Sequence, residues 1–438
     1  MSWKEIYAQK CMDADTALNL IKSGDRVVVQ HAAGEPSYLV ETLVQKKEQY
    51  RDVEIVHMVA MGDSPYCAEG MEKHFRHNSL FVGRTTRKAV SEGRADYTPC
   101  YNSDIPRLFR DGYLPVDVAL LHVSPPDSDG NVSIGISVDY TLQGAKSAKT
   151  IIAQVNKNMP RTFGQTMFPV SAITAFVEHD APIIELKPAS VSDVEKAIGE
   201  NCAKLINDGD TLQLGIGSIP DAVLLFLKNK KDLGIHTEMF SDGVVELVEA
   251  GVITNAKKNF HPGKFVAAFL MGTRRLYDFV HENKNVEMRP VDYVTNPAIV
   301  CQNDNLVSIN SCVQIDITGQ VCSESIGREQ ISGPGGQVDF VRGASMGKNG
   351  RSIIAFPSTA AKGKISKIVP NLDEGAFVTT PRNEVDYIIT EYGIARLRGR
   401  TLRQRAKLLI GIAHPSFREE LSRVFEERYH CRLADVAV

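Results

Sequence analysis

Apolar residues in this chain fall into short, nearly continuous runs, set between stretches of helical spacing, and the same succession occurs twice. "IKSGDRVVVQHAAGEPSYLVETL" begins at Ile21 and "INDGDTLQLGIGSIPDAVLLFL" at Ile206. Gly24-Asp25 corresponds to Gly209-Asp210, Val27-Val28-Val29 to Leu212-Gln213-Leu214, and Pro36 to Pro220 with one residue of slippage. Each copy follows an amphipathic helix, predicted over residues 15–21 and 194–206. Ser192 and Glu195 stand in capping-box spacing, and Gly24 and Gly209 sit where a glycine after a helix belongs. A second helix should open at each proline and lead to a second strand, "DVEIVHMVA" in one copy and "GIHTEMF" in the other. A weaker echo pairs "PPDSDGNVSIG" with "VQIDITGQVCSES", each with a hairpin-like turn, at Gly130 and Gly319.

Repetition on this scale signals duplicated domains and not a solenoid. Strands alternating with helices predict two related open α/β domains with mainly parallel sheets, with ligands gathered at the carboxyl ends of the strands. The polar, proline-bearing "ELKPASVSD" marks the boundary, giving residues 1–190 and 191–438. A glutamate- and arginine-rich helix over residues 416–429 and the charged stretch 255–264 read as surface elements.

Composition narrows the function. With 50 basic against 53 acidic residues and a net charge of -3 among 438 residues, nothing favours nucleic acid or an anionic membrane as partner. Eight cysteines, none at C-x-x-C spacing, suggest neither structural zinc nor a redox pair, and scattered free thiols favour a reducing cytoplasm. The first twenty residues have no signal-peptide core, and no run approaches the roughly 18 apolar residues of a membrane span. A homodimer is the default expectation for such a fold.

The candidate chemistry begins at "LGIHTEMFSDG", which places Glu238 inside what reads as a short buried strand. A carboxylate there must be paired, protonated or used in chemistry. His236, on the same strand face, reads as a core or rim histidine. "GIGSIP" has Gly215 and Gly217 spaced so that backbone N–H groups can approach a phosphate, although glycines required only by a tight turn explain it equally well. A nicotinamide enzyme stays open as an alternative, since Glu238 lies about twenty positions beyond, but Pro220 stands where its third glycine belongs. "QISGPGGQVDFVRGA" offers N–H groups that can converge on a developing oxyanion.

Taken together, "GIGSIPDAV", "HTEMFSDGV", "GPGGQVDFVRGA", "GKISKIVP", "TEYGIARLRGR" and "VSPPDSDG", in this order apart from the last, resemble the acetyl-CoA hydrolase/transferase branch of the class I coenzyme A transferases. The resemblance spans nearly the whole chain and is closest to its 4-hydroxybutyrate-type members. It implies two related α/β domains with the active site between them and a nucleophilic glutamate falling on Glu238. Gly335, Gly336 and Asn296 would form the oxyanion environment; Asn296 is carried over although the family pattern places its Asn at Thr295. The coenzyme would lie along Gln213, Leu214, Gly215, Ile216 and Gly217, with Gly335 and Gly336 at the thioester end. Lys362 or Lys364 would meet a phosphate. His31, Glu35, His57 and Met58, after the first two strands, are proposed for the acyl side. CoA and acyl-CoA would be substrates, with no metal and no permanently bound cofactor. The expected reaction is ping-pong transfer of CoA between short-chain carboxylates, 4-hydroxybutyryl-CoA and acetate leading. A butyryl-CoA:acetate transferase, an acyl-CoA hydrolase and a catalytically silent binding protein on the same fold remain alternatives.

Overall fold

The apolar runs become the interior strands of two sheets. In the computed structural model, which describes residues 1–438, the chain divides into two compact units. Residues 1–187, 265–294 and 331–333 form the first; 188–264, 295–330 and 334–438 form the second. A linear division at residue 190 makes no provision for the two segments that return to the first unit. One of them returns through strand pairing: Phe265–Ala267 lies parallel to Val286–Met288, which lies parallel to Phe163–Gly164. These strands have three, three and two residues, too short to produce a readable apolar run.

The sheet of the first unit holds β1 (Arg26–Val29), β2 (Val53–His57), β3 (Phe75–Ser79), β4 (Ala95–Tyr97), β5 (Val118–Val123), β6 (Thr150–Val155) and β7 (Ala175–Glu178). Its order is β7-β6-β5-β1-β2-β3-β4, parallel throughout. Because a parallel sheet is covered on both faces, its strands are apolar without alternation, and all six residues of β5, "VALLHV", are buried. Helices α1 (Ala14–Leu18) and α2 (Ser37–Gln45) set Leu18, Leu39, Val40 and Leu43 into one core with Val27, Val29 and Ile55.

The second unit repeats the plan with β8 (Thr211–Leu214), β9 (Gly234–Ile235), β10 (Leu306–Asn310), β11 (Arg351–Ala355), β12 (Tyr387–Thr390) and β13 (Gly393–Arg396), in the order β9-β8-β10-β11-β12-β13. Only the edge pair β12-β13 is antiparallel. Helix α3 (Asp193–Ala203) opens on the expected capping box of Ser192 and Glu195. Helix α4 (Ser218–Leu225) begins two residues before Pro220: Gly217, at φ +108°, caps it. Pro220 then occupies the first turn, where its missing N–H would have had no helical partner. Helix α5 (Gln337–Met346) follows the glycine cluster, and near the end of the chain α6 (Pro415–Tyr429) buries only Leu421 and Phe425.

The two copies share their atomic detail at the turn before the first strand. Gly24 and Gly209 have φ +83° and +79°, a region that favours glycine. Asp25 accepts from the Lys22 N–H at 2.8 Å and Asp210 from the Asn207 N–H at 2.7 Å. The Asp25 carbonyl receives the Glu54 N–H and the Asp210 carbonyl the Gly234 N–H, both at 2.9 Å, so the same residue holds the turn and the neighbouring strand. The Gly319 turn is likewise a hairpin: Gln314–Asp316 pairs antiparallel with Val321–Cys322, while Asp316 Oδ1 accepts the N–H groups of Thr318, Gly319 and Gln320. Across the Gly130 turn, the Ser124 N–H reaches the Ser133 carbonyl at 2.9 Å.

Asp210 carries one further load, a 2.7 Å ion pair with Arg351 on β11, its own side chain 4% exposed. Removing one member of such a pair strands the other. Asp210→Ala is therefore expected to lower unfolding stability by about 3 kcal/mol, read from the urea midpoint, whereas Asp25→Ala, at the matching turn without a buried arginine partner, should cost less.

Candidate active site

Glu238 does not sit inside a continuous strand. β9 ends at Ile235 and a new two-residue strand starts at Met239, so Glu238 occupies the break between them. Buried Thr237 organises the break. Its Oγ1 donates toward the carbonyls of Leu214 and Met239, each at 2.9 Å, and accepts the Leu214 N–H at 3.3 Å. The break is thereby pinned to the last residue of β8, immediately before the glycine loop. With the strand interrupted, the carboxylate is only partly buried, and its Oε2 accepts the Gly336 N–H at 3.0 Å.

Gly336 is the N-cap of α5, and Gly335 before it has φ +51°. The carboxylate therefore lies at a helix N-terminus, where unpaired N–H groups and the helix dipole favour negative charge. A Cβ at residue 336 would stand 2.3 Å from Glu238 Oε2 and 3.3 Å from the Phe340 ring. A side chain there would oblige the Glu238 carboxylate to move, whereas the backbone angles at 336 are open to any residue.

The coenzyme-side candidates divide between framework and loop. Gln213 is buried, its Oε1 accepting from Ser308 Oγ at 2.7 Å and Asn310 Nδ2 at 3.2 Å, a polar floor at the carboxyl ends of β8 and β10. Leu214 is buried, whereas Ile216 is 46% exposed between Gly215 and Gly217, and a Cβ at either glycine would meet nothing within 4 Å. The backbone there is open to an approaching ligand. Lys362 and Lys364 are exposed on the turn of a small hairpin, Thr359–Ala360 against Ile365–Ser366. Lys367, three residues on, lies over the Phe356 ring with its pKa lowered by burial. Asn296 caps the short helix Pro297–Val300, its Oδ1 accepting the Ala298 N–H.

Sequence reasoning did not single out Thr237, Ser308 or Asn310. The signal available was polar residues at the carboxyl end of an otherwise apolar run, "LVSIN". Glu391 lies inside the quoted "TEYGIARLRGR" motif without a role read from it. Its carboxylate receives the Ser358 N–H at 2.9 Å and Ser358 Oγ at 2.6 Å, anchoring the segment that leads to the lysine hairpin. His236 is fully buried, its ring near those of Phe260 and Phe340, as expected of a core histidine.

The four first-unit candidates are all buried. His31 Nδ1 faces Asp139 Oδ2 at 3.2 Å, and the same oxygen accepts from Ser137 Oγ at 2.7 Å. His57 Nδ1 lies 2.9 Å from the Tyr66 hydroxyl, and burial pushes the pKa of this imidazole well down. In both rings Nε2 has no hydrogen-bond partner. Met58 packs in a core with Val28, Val56 and Tyr140. Glu35, 2% exposed, accepts the N–H groups of Met61 and Gly62 at 3.2 and 3.0 Å on Oε2. Burial raises its pKa to about 7 against these two donors, with Glu41 and Asp63 pushing the same way.

Residues 1–187 match the acetyl-CoA hydrolase/transferase N-terminal domain and residues 272–425 the corresponding C-terminal domain. The chain is 62% identical to the 4-hydroxybutyrate coenzyme A transferase of Clostridium kluyveri, over 98% of this chain and 100% of that protein. The structure of a 4-hydroxybutyrate CoA-transferase from Porphyromonas gingivalis superposes with a TM-score of 0.85 at 45% identity, and that of RipA from Yersinia pestis with 0.94 at 36%. Both superpositions cover 98% of this chain and 100% of the other. No helix is long and apolar enough to cross a membrane.

The raised pKa of Glu35 has a stability consequence of definite sign. A carboxyl that binds its proton more tightly in the folded chain contributes fully below its ordinary value of 4.5, and the contribution is lost as pH rises through about 7. Relative to Glu35→Gln, the wild type should lose on the order of 3 kcal/mol of unfolding free energy between about pH 4 and pH 8.5. Urea titrations of both proteins across that range measure it; a pH-independent difference contradicts the assignment.

Proposed function

Since the chain belongs to the acetyl-CoA hydrolase/transferase family, we propose that it transfers CoA between short-chain carboxylates, with Glu238 as the nucleophile and 4-hydroxybutyryl-CoA and acetate, or acetyl-CoA, as the leading pair. The hydrogen bond from the Gly336 N–H to Glu238 Oε2, in a place where a Cβ would stand 2.3 Å from that oxygen, carries this reading. Support for the substrate pair comes from the 62% identity to a 4-hydroxybutyrate coenzyme A transferase. Family membership sets the nicotinamide alternative aside.

The reaction runs through bonds to one carboxylate. A Glu238 oxygen attacks the thioester carbonyl carbon of the acyl-CoA, and the C–S bond breaks to release CoA thiolate and leave an acyl-glutamyl anhydride. The thiolate then attacks the glutamyl carbonyl carbon, expelling the first carboxylate and forming a glutamyl-CoA thioester. A second carboxylate repeats the two steps in reverse, leaves as the new acyl-CoA and restores Glu238. These steps require no proton transfer to or from a side chain, so no residue is assigned as general acid or base.

Each addition to the glutamyl carbon places a negative charge on one of its oxygens. Oε2 already accepts the Gly336 N–H, so the donor stands where that charge develops and needs no rearrangement. Gly335 and the side-chain amide of Asn296, whose Oδ1 is held by the Ala298 N–H, are the further donors in this reading. One such donor contributes on the order of 3 kcal/mol to the barrier. Gln213 to Gly217 would receive the coenzyme through open backbone, and exposed Lys362 or Lys364, in preference to half-buried Lys367, a phosphate. His31 and His57, each with an unpartnered Nε2, together with Glu35 and Met58, are the acyl-side residues of the proposal.

Mixing the protein with butyryl-CoA or 4-hydroxybutyryl-CoA should give a covalent CoA adduct by intact mass spectrometry, mapping to Glu238 and discharged by hydroxylamine. Glu238→Ala should abolish the adduct and reduce turnover by at least about a thousandfold; an active, adduct-forming Glu238→Ala ends the proposal. Release of CoA from the adduct without any carboxylate acceptor, at the rate of full turnover, would identify a hydrolase instead. Gly336→Ala, which drives a methyl group into the carboxylate, should cost about a hundredfold or more in kcat, with its unfolding midpoint measured alongside to separate catalysis from folding.

A further inference from the structure

Side chains, as well as the sheet ladder, hold the main chain that leads into Glu238. The registered pairing of β8 with β9 stops at Leu212 with Ile235, and the His236 N–H still reaches the Leu212 carbonyl at 3.1 Å. Both main-chain groups of Ile235 meet buried side chains: its N–H donates to Asn255 Oδ1 and its carbonyl accepts from Lys258 Nζ, each at 2.8 Å. One further rung of a parallel ladder would join the Leu214 carbonyl to the Glu238 N–H. The Thr237 hydroxyl stands at that place, 2.9 Å from the Leu214 carbonyl and accepting the Leu214 N–H at 3.3 Å.

The same hydroxyl lies 2.9 Å from the Met239 carbonyl. It thus reaches the last residue before the glycine loop and the first residue after Glu238, while belonging to the residue before it. A hydroxyl has one proton to donate, so the Leu214 and Met239 carbonyls share it, and the Leu214 N–H takes a lone pair of the oxygen. Thr237 is 1% exposed, which keeps water from competing for these bonds.

We infer that Thr237 is a positioning residue for Glu238: its hydroxyl, standing in for a rung of the ladder, fixes the carboxylate relative to the Gly336 N–H and to the loop Gly215–Gly217. This role rests on Glu238 being the nucleophile. The glutamyl carbon then passes from carboxylate to anhydride to thioester, and at each stage the attacking atom and the oxyanion donor must meet it in the same narrow geometry. Affinity for the coenzyme resides in the groups that touch it, so loss of the hydroxyl falls on the chemical step.

The test follows adduct formation on the full chain with butyryl-CoA, in single turnover read by quenched-flow and intact mass spectrometry. Thr237→Val keeps the shape and removes the hydroxyl; Thr237→Ser keeps the hydroxyl. At saturating butyryl-CoA, Thr237→Val should form the adduct at least about thirtyfold more slowly, with its half-saturating concentration within about threefold of wild type. Thr237→Ser should stay within about threefold of wild type in both quantities. Adduct amplitude separates positioning from folding: a hydroxyl needed only for folding lowers the fraction of chains that react and leaves their rate constant unchanged. Should Thr237→Val fail to fold, Thr237→Cys, of similar size and with a weaker donor, carries the same expectation. A Thr237→Val rate constant within about threefold of wild type, a Thr237→Ser protein as slow as Thr237→Val, or a loss confined to amplitude or to half-saturation would overturn the inference. No adduct in the wild type overturns the nucleophile reading and this role with it, whereas a wild-type adduct that the variants leave unaffected overturns this role alone.

Discussion

A carboxylate at a strand break and the first N–H of a helix set the terms for the second unit. An ionised side chain that has lost part of its water needs donors, and Glu238 finds one in Gly336, at the positive end of α5. The approach is so close that a side chain at residue 336 would displace the carboxylate. Glycine in that place, the break after β9 and the direction of α5 are therefore one constraint seen from three sides.

Thr237 extends this constraint to the neighbouring loop. By bonding both main-chain groups of Leu214 it holds the end of β8 against the residue preceding Glu238. Gln213, Ser308 and Asn310 form a closed polar network at the ends of β8 and β10, so buried polarity there is satisfied within the sheet. The glycine loop that follows is left open, with Ile216 standing out from it. A rigid polar floor beneath an accessible backbone is a suitable arrangement for a ligand that binds through phosphate and amide groups.

The duplicated plan serves different ends in the two units. In both, an aspartate after a left-handed glycine fixes the first strand to the second. Beyond the second strand the copies part: in the second unit a break places Glu238 between two strands, whereas in the first the strand ends at His57 and the side chain of the following Met58 joins the core. The first unit instead carries its buried acid on the loop after β1, where Glu35 is held by two N–H groups and raised toward neutrality by desolvation. Burial without a cation makes one carboxyl a pH-sensitive group, while the other meets the first N–H of a helix.

Local physics was legible in the sequence by itself. The glycine-aspartate turns, the capping box at Ser192, the hairpin at Gly319 and the apolar strands each depend on residues within a few positions of one another, so the chain announces them directly. Family motifs likewise marked Glu238 and the glycine pair as a set. Tertiary structure alone decided which groups touch: the Gly336 N–H is 98 residues from the carboxylate it donates to, and the return of residues 265–294 to the first unit depends on pairing between strands of two and three residues. It also separated the lysines, leaving Lys362 and Lys364 exposed and Lys367 half-buried within one short stretch. Spacing can state that a residue type is available, but contact and desolvation, which determine whether its charge is stabilised, are set by parts of the chain far away along it.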